Sequence, residues 1–72
     1  MRGLIDTKGE QFAYLRAGTV YTMDDEPTGR LQGEFIIDLG GNRVWRVVGD
    51  GIYSLDGTRA IGYFTQEKSI YY

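Results

Sequence analysis

Four aliphatic residues, Leu4, Val20, Ile36 and Ile52, stand sixteen positions apart in this chain. The step is not confined to them. The next column reads Ile5, Tyr21, Ile37, Tyr53, followed by a small polar column of Asp6, Thr22, Asp38 and Ser54. Then come Thr7, Met23, Leu39 and Leu55, and later an apolar column of Leu15, Leu31, Val47 and Tyr63. One such column could arise by chance. Several in a single ungapped register mean that one unit has been copied four times.

Each unit has the pattern of a β-hairpin, most plainly over Ile52–Phe64. A short apolar run leads into a turn pair, and a second apolar run leads out. The turn pairs are Lys8-Gly9, Asp24-Asp25, Gly40-Gly41 and Asp56-Gly57. A two-residue type I′ turn needs positive φ at both central residues, which Asp-Gly and Gly-Gly adopt at little cost. Asp24-Asp25 is the least suited pair, although Asp tolerates the left-handed region better than most residues. A rival reading begins the turn at the polar column, as a type I turn with a glycine bulge over Asp6–Gly9 and Asp38–Gly41.

The two readings differ by one residue of pairing, and such a slip exchanges the faces of a strand. The two-residue turn is preferred. It sets Leu4, Val20, Ile36 and Ile52 opposite Ala13, Gly29, Trp45 and Ile61, making one face largely apolar. The rival would place Arg30 and Arg46 on that face.

The fold expected is all-β: four tandem 16-residue hairpins in a shallow pseudo-fourfold barrel or meander. Turn signals recur about every eight residues, and no stretch carries a helical period. A series of short antiparallel strands must protect its edges, and closure into a barrel removes them. Residues 1–66 form one domain with repeats at about 1–16, 17–32, 33–48 and 49–64. Repeat two is the least regular, because Pro27 has no backbone donor and Gly29 weakens its returning strand. Residues 67–72 read as a closing strand or a tail.

A chain of 72 residues buries a small core, and with no cysteine it has no disulfide to help. Self-association is the remaining common support. An aromatic content of 14% exceeds what so small a core encloses easily, and aromatic residues suit interfaces. The net charge of −2 and the scatter of Lys and Arg give no footprint for nucleic acid. No apolar stretch reaches the length of a membrane span, and an acid at residue 6 interrupts any signal-peptide pattern. The expected location is the cytoplasm.

Histidine and cysteine are both absent, which removes imidazole catalysis and thiolate chemistry. Any two of Asp6, Asp38 and Asp56, near the turns of different hairpins, are the candidate acid–base pair, but turn aspartates commonly bind nearby backbone amides. Asp24-Asp25-Glu26 lacks the alternate spacing of a calcium loop, so no metal site and no cofactor is expected. Arg30 and Arg46 share one repeat position, and Arg43 and Arg59 share another, each a partial ring that suits an anion or a partner's carboxylates. Tyr21, Trp45 and Tyr53 are the candidate ligand-binding residues, an aromatic cage for a cationic or planar molecule. Ile70, Tyr71 and Tyr72 are the candidate subunit interface.

The four tandem hairpins with their Tyr/Ile-x-Leu/Met-Asp/Gly-Gly pattern, as in Ile52-Tyr-Ser-Leu-Asp-Gly57, resemble the four-fold beta flower domain family. The resemblance spans residues 3 to about 64, with repeat two departing most. It implies a small bacterial protein built of hairpins, and it brings no catalytic residues. The function expected is non-catalytic: a homo-oligomeric protein-binding or structural module, possible partners being itself or another protein. The alternative is a small-molecule receptor with an aromatic pocket.

Overall fold

The computed structural model describes residues 1–66. Eight strands carry the chain: β1 (Arg2–Asp6), β2 (Gln11–Arg16), β3 (Thr19–Thr22), β4 (Pro27–Gln32), β5 (Phe35–Asp38), β6 (Arg43–Val48), β7 (Gly51–Tyr53) and β8 (Ala60–Phe64). There is no helix among the described residues. Each strand pairs antiparallel with the next, and β8 returns to β1 through Leu4↔Phe64, Ile5↔Tyr63 and Asp6↔Gly62. The meander therefore closes, and no strand edge is left open. Thr65 stitches the closure: its N–H donates to the Gly3 carbonyl at 2.9 Å, and its Oγ1 accepts from the Gly3 N–H at 2.8 Å.

The two ends of the barrel use different turns. At one end Ala17-Gly18, Gly33-Glu34 and Gly49-Asp50 are two-residue connections between repeats. Ala17 and Gly18 both have positive φ (51° and 83°), as a type I′ turn demands. Gly33 and Gly49 carry positive φ (61° and 60°) at the first central position, as in type II′.

At the other end lie the four hairpin tips, where the preferred reading of the turn is corrected. The Gly9 N–H bonds the Asp6 carbonyl at 3.0 Å, and the Asp6 N–H bonds the Glu10 carbonyl at 2.9 Å. That is a three-residue loop whose last member is left-handed, the rival reading from the sequence. Asp25 over Thr22 and Gly41 over Asp38 repeat it. The polar column explains the choice: its side chains close the loop. Asp6 Oδ1 accepts from the N–H groups of Lys8 and Glu10, Asp38 Oδ1 from those of Gly40 and Asn42, and Thr22 Oγ1 from those of Asp24 and Glu26.

The one-residue offset at each tip is cancelled further down. Every hairpin carries a bulge at the same place, where one residue of the returning strand has no partner. Phe12, Thr28, Val44 and Ile61 are those residues. Below the bulge the pairs become Leu4↔Ala13, Val20↔Gly29 and Ile36↔Trp45, as the apolar columns foretold. Arg30 and Arg46 therefore stay outside. A bulge bends its strand and increases local twist, so four at one height curl a short sheet into a barrel.

Repeat four departs from the sixteen-residue register. Its tip closes between the Ser54 N–H and the Arg59 carbonyl, one residue longer than the others, with Thr58 as the addition. The returning strand is displaced by one. Ile52 faces Gly62 rather than Ile61, and Phe64 rather than Tyr63 fills the apolar column. Phe64 is 3% exposed and Tyr63 49%.

Leu4, Ala13, Leu15, Val20, Ile36, Ile52 and Phe64 form the core, with Leu4 and Ile52 wholly enclosed. Trp45 packs against this cluster and meets Phe12 edge-on, ring centres 5.9 Å apart. Its counterparts in repeats two and four are Gly29 and Gly62. A β-carbon at Gly29 would run into the Ile37 carbonyl oxygen, and one at Gly62 into that of Ile5. Neighbouring backbone approaches too closely at these two points for any side chain.

Candidate functional site

The three aromatic candidates do not meet. Val20 and Ile52 point into the core, so their neighbours Tyr21 and Tyr53 point outward. Trp45, opposite Ile36, lies on the inner face. Tyr21 stacks on Tyr14 at 5.1 Å, and the Arg16 guanidinium lies over it at 5.1 Å. The ring of Tyr53 lies against Gly51. Each of the three therefore has its own packing partner. Ile70, Tyr71 and Tyr72 lie outside the described residues.

The turn carboxylates are occupied by their own loops. Beyond the bonds of Asp6 and Asp38, Asp56 Oδ1 accepts from Ser54 Oγ at 2.7 Å, Thr58 Oγ1 at 2.8 Å and the Thr58 N–H at 3.0 Å. The Thr58 amide, followed by the two hydroxyls, holds the Asp56 carboxyl down to about 2. Asn42 and the loop amides lower Asp38 in the same way. These bonds are the work of loop closure.

In the acidic turn, Asp25 takes the left-handed position with φ 67° and accepts a 2.5 Å hydrogen bond from the Tyr14 hydroxyl. That bond to Asp25, followed by desolvation, raises the Tyr14 pKa. Among the described residues no group of three acidic side chains converges as a metal site.

Two surfaces with apolar side chains are not consumed by packing. The first is the ring of tips. Thr7, Met23, Leu39 and Leu55 occupy the same position of successive loops, directly after the polar closing residue. Met23 is 53%, Leu39 71% and Leu55 43% exposed. Nothing in loop closure calls for a large apolar side chain there. The sequence showed this column, but it reads as the continuation of a strand until the turn is known to begin one residue earlier.

The second surface is a cleft of about 440 Å³ at the opposite end, beside the turns at Gly33 and Gly49. Leu31, Val47 and Phe64 supply its apolar lining; Arg2, Glu34 and Arg46 supply charge. Arg2 is held in place. Its Nη2 pairs with Asp50 Oδ1 at 2.5 Å, its Nε donates to the Thr65 carbonyl at 2.8 Å, and its guanidinium lies 4.8 Å from the Phe64 ring centre. Cleft residue Phe64 was hidden in the sequence by the extra residue at Thr58.

Comparison of the chain with family models, with curated proteins and with solved structures returned no match.

Proposed function

We propose that the protein is a non-catalytic binding module that joins a second copy of itself through the tip end of its barrel. One observation carries this reading: Met23, Leu39 and Leu55 stand exposed at one height on one end. Large apolar side chains left exposed at one end of a barrel, with no role in the fold, suit an association site. The charges favour a copy of the same chain. Lys8 and Asp24 hold the same place in adjacent tips. A two-fold axis across the tip end brings Lys8 of each copy to the acidic turn Asp24–Glu26 of the other, and Leu39 to Leu55.

The closed barrel of four hairpins is the architecture implied by the resemblance to the beta flower family, and membership of that bacterial family is part of this proposal. A cytoplasmic location fits it as well. No helix among the described residues is long and apolar enough to cross a membrane. The strands, three to six residues long, fall short of the roughly nine to eleven that a membrane-spanning strand takes.

Size-exclusion chromatography with light scattering tests the reading. The wild-type chain is expected to be dimeric at high micromolar concentration, and the Leu39→Ser/Leu55→Ser variant monomeric with its fold intact. A folded wild-type chain that stays monomeric throughout overturns it.

The cleft at the other end favours a second reading, a small-molecule receptor. Its volume lies within the usual range for ligand sites, and barrel mouths commonly hold them. A thermal-shift screen of small organic cations and zwitterions tests it. A ligand at 100 times its dissociation constant stabilises by about 2.7 kcal/mol. Silence across a broad panel counts against the receptor.

A further inference from the structure

The net charge of this chain conceals a segregation. Of its ten acidic residues, Glu67 lies outside the described part, and the other nine all sit in turns or at strand ends. Four arginines lie on the strands themselves, Arg30 and Arg46 within β4 and β6, and Arg16 and Arg43 at the end of β2 and the start of β6. Strand register places three of them in one row across five strands: Arg16 beside Thr19, Thr19 beside Arg30, Arg30 beside Ile37, Ile37 beside Arg43. The row below runs Gln32, Phe35, Arg46, Tyr53. Inward neighbours such as Leu15, Val20 and Ile36 fix this side as the outer face.

All four arginines are exposed, and no acid stands in either row. None of the four makes an ion pair among the described residues. With strands about 4.8 Å apart, guanidinium groups recur about every 10 Å around the curve.

Three of the four are also placed against rings. Arg43 lies over Phe35 at 4.2 Å, Arg46 over the same ring at 5.7 Å, and Arg16 over Tyr21 at 5.1 Å. A guanidinium held against a ring is restricted in the directions it samples. The edge suits phosphate bidentately and the face suits stacking by a base, functions that lysine does not share. A carboxylate polymer uses the edge alone. A row across five strands is broader than the roughly 12 Å of a major groove, which admits at most a helix or a two-stranded ribbon, so the bases must be free of a duplex.

We infer that the outer-face rows carrying Arg16, Arg30, Arg43 and Arg46 are a binding surface for single-stranded nucleic acid, phosphates meeting the guanidinium edges and bases stacking on their faces. The overall acidity that argues against nucleic acid in the sequence is contributed by turns at the two ends. The surface uses none of the exposed tip side chains Met23, Leu39 and Leu55, so its failure leaves the proposed self-association untouched.

Fluorescence anisotropy of the full chain with labelled oligo-dT and oligo-U, over a salt series, tests this. Saturable binding to either is expected, log K falling with log salt at a slope of about −2 to −3, as three or four neutralised phosphates give. The Arg30→Gln/Arg43→Gln variant should keep its melting temperature, bind at least tenfold more weakly and lose about 1.4 from the slope. No binding at low salt overturns the inference. So does equal affinity for a duplex of the same length, or equally effective displacement of the oligonucleotide by polyglutamate. Tightness for DNA or RNA alone supports it and names the source.

Discussion

Tyr14 and Asp25 are joined by a 2.5 Å hydrogen bond that ties the returning strand of the first hairpin to the tip of the second. Asp25 is also the residue that turns this tip through the left-handed region, where its three counterparts are glycine. Tyr14 is 7% exposed although it lies on the outer face, because Tyr21 stacks on it. The repeat with the poorest turn pair is thus held by a side chain from its neighbour.

The bond gives a signature at high pH. Asp25 raises the Tyr14 pKa in the folded protein above its unfolded value. The stabilisation it supplies is complete below the ordinary tyrosine range near pH 10 and is lost as pH rises through the folded value. A spectrophotometric titration should show a tyrosine ionising above the ordinary range. Tyr14→Phe should remove that late step and lower the melting temperature at neutral pH.

Acid should loosen the opposite tip. The folded Asp56 carboxyl, at about 2, lies below its unfolded value. Its contribution is present above the ordinary aspartate range, near pH 4, and is lost as pH falls through 2. Carbon-detected NMR of the side-chain carboxyls should place Asp56 below the ordinary aspartate range, and Asp56→Asn should flatten the decline of melting temperature across that window.

Glycines in this chain should differ sharply in what they tolerate. Gly9→Ala puts a β-carbon into open space and strains only a positive φ of 86°, for about 1 kcal/mol. Gly29→Ala and Gly62→Ala drive a β-carbon into a neighbouring carbonyl and should cost about 3 kcal/mol or more. Urea unfolding of the three variants compares them directly.

The fourth tip carries one residue more than the geometry needs. Deleting Thr58 leaves Ser54 to close a loop like the other three and leaves the pairing of Ile52 with Gly62 in place. The deletion variant should fold, with a stability change within about 1 kcal/mol. Failure to fold would mean that the two bonds Thr58 gives to Asp56 are ones this loop requires.

Strand number, order and the four-fold unit were legible in the sequence because Leu4, Val20, Ile36 and Ile52 repeat without a gap. Turn type was not. Asp6 and Asp38 look equally at home before a two-residue and a three-residue loop, and the bulges at Phe12, Thr28, Val44 and Ile61 conceal the difference by restoring the pairing below them. The slip in repeat four was invisible for another reason. Ile61, Tyr63 and Phe64 are all apolar enough to face inward, so alternation does not choose among them. Candidate surfaces fared worse still. The segregation of arginines from acids follows from cross-strand neighbours, and these are set by register rather than by spacing along the chain.

Thiol labelling decides the register of the closing strand, on which the barrel depends. The chain has no cysteine, so Tyr63→Cys and Phe64→Cys each introduce one reactive site. With Phe64 enclosed and Tyr63 half exposed, cysteine at 63 should react under native conditions at close to its unfolded rate. Cysteine at 64 should react only as fast as the protein opens. Protection at 63 with free reaction at 64, the pattern an unbroken sixteen-residue repeat requires, would contradict the register by which β8 closes the barrel onto β1.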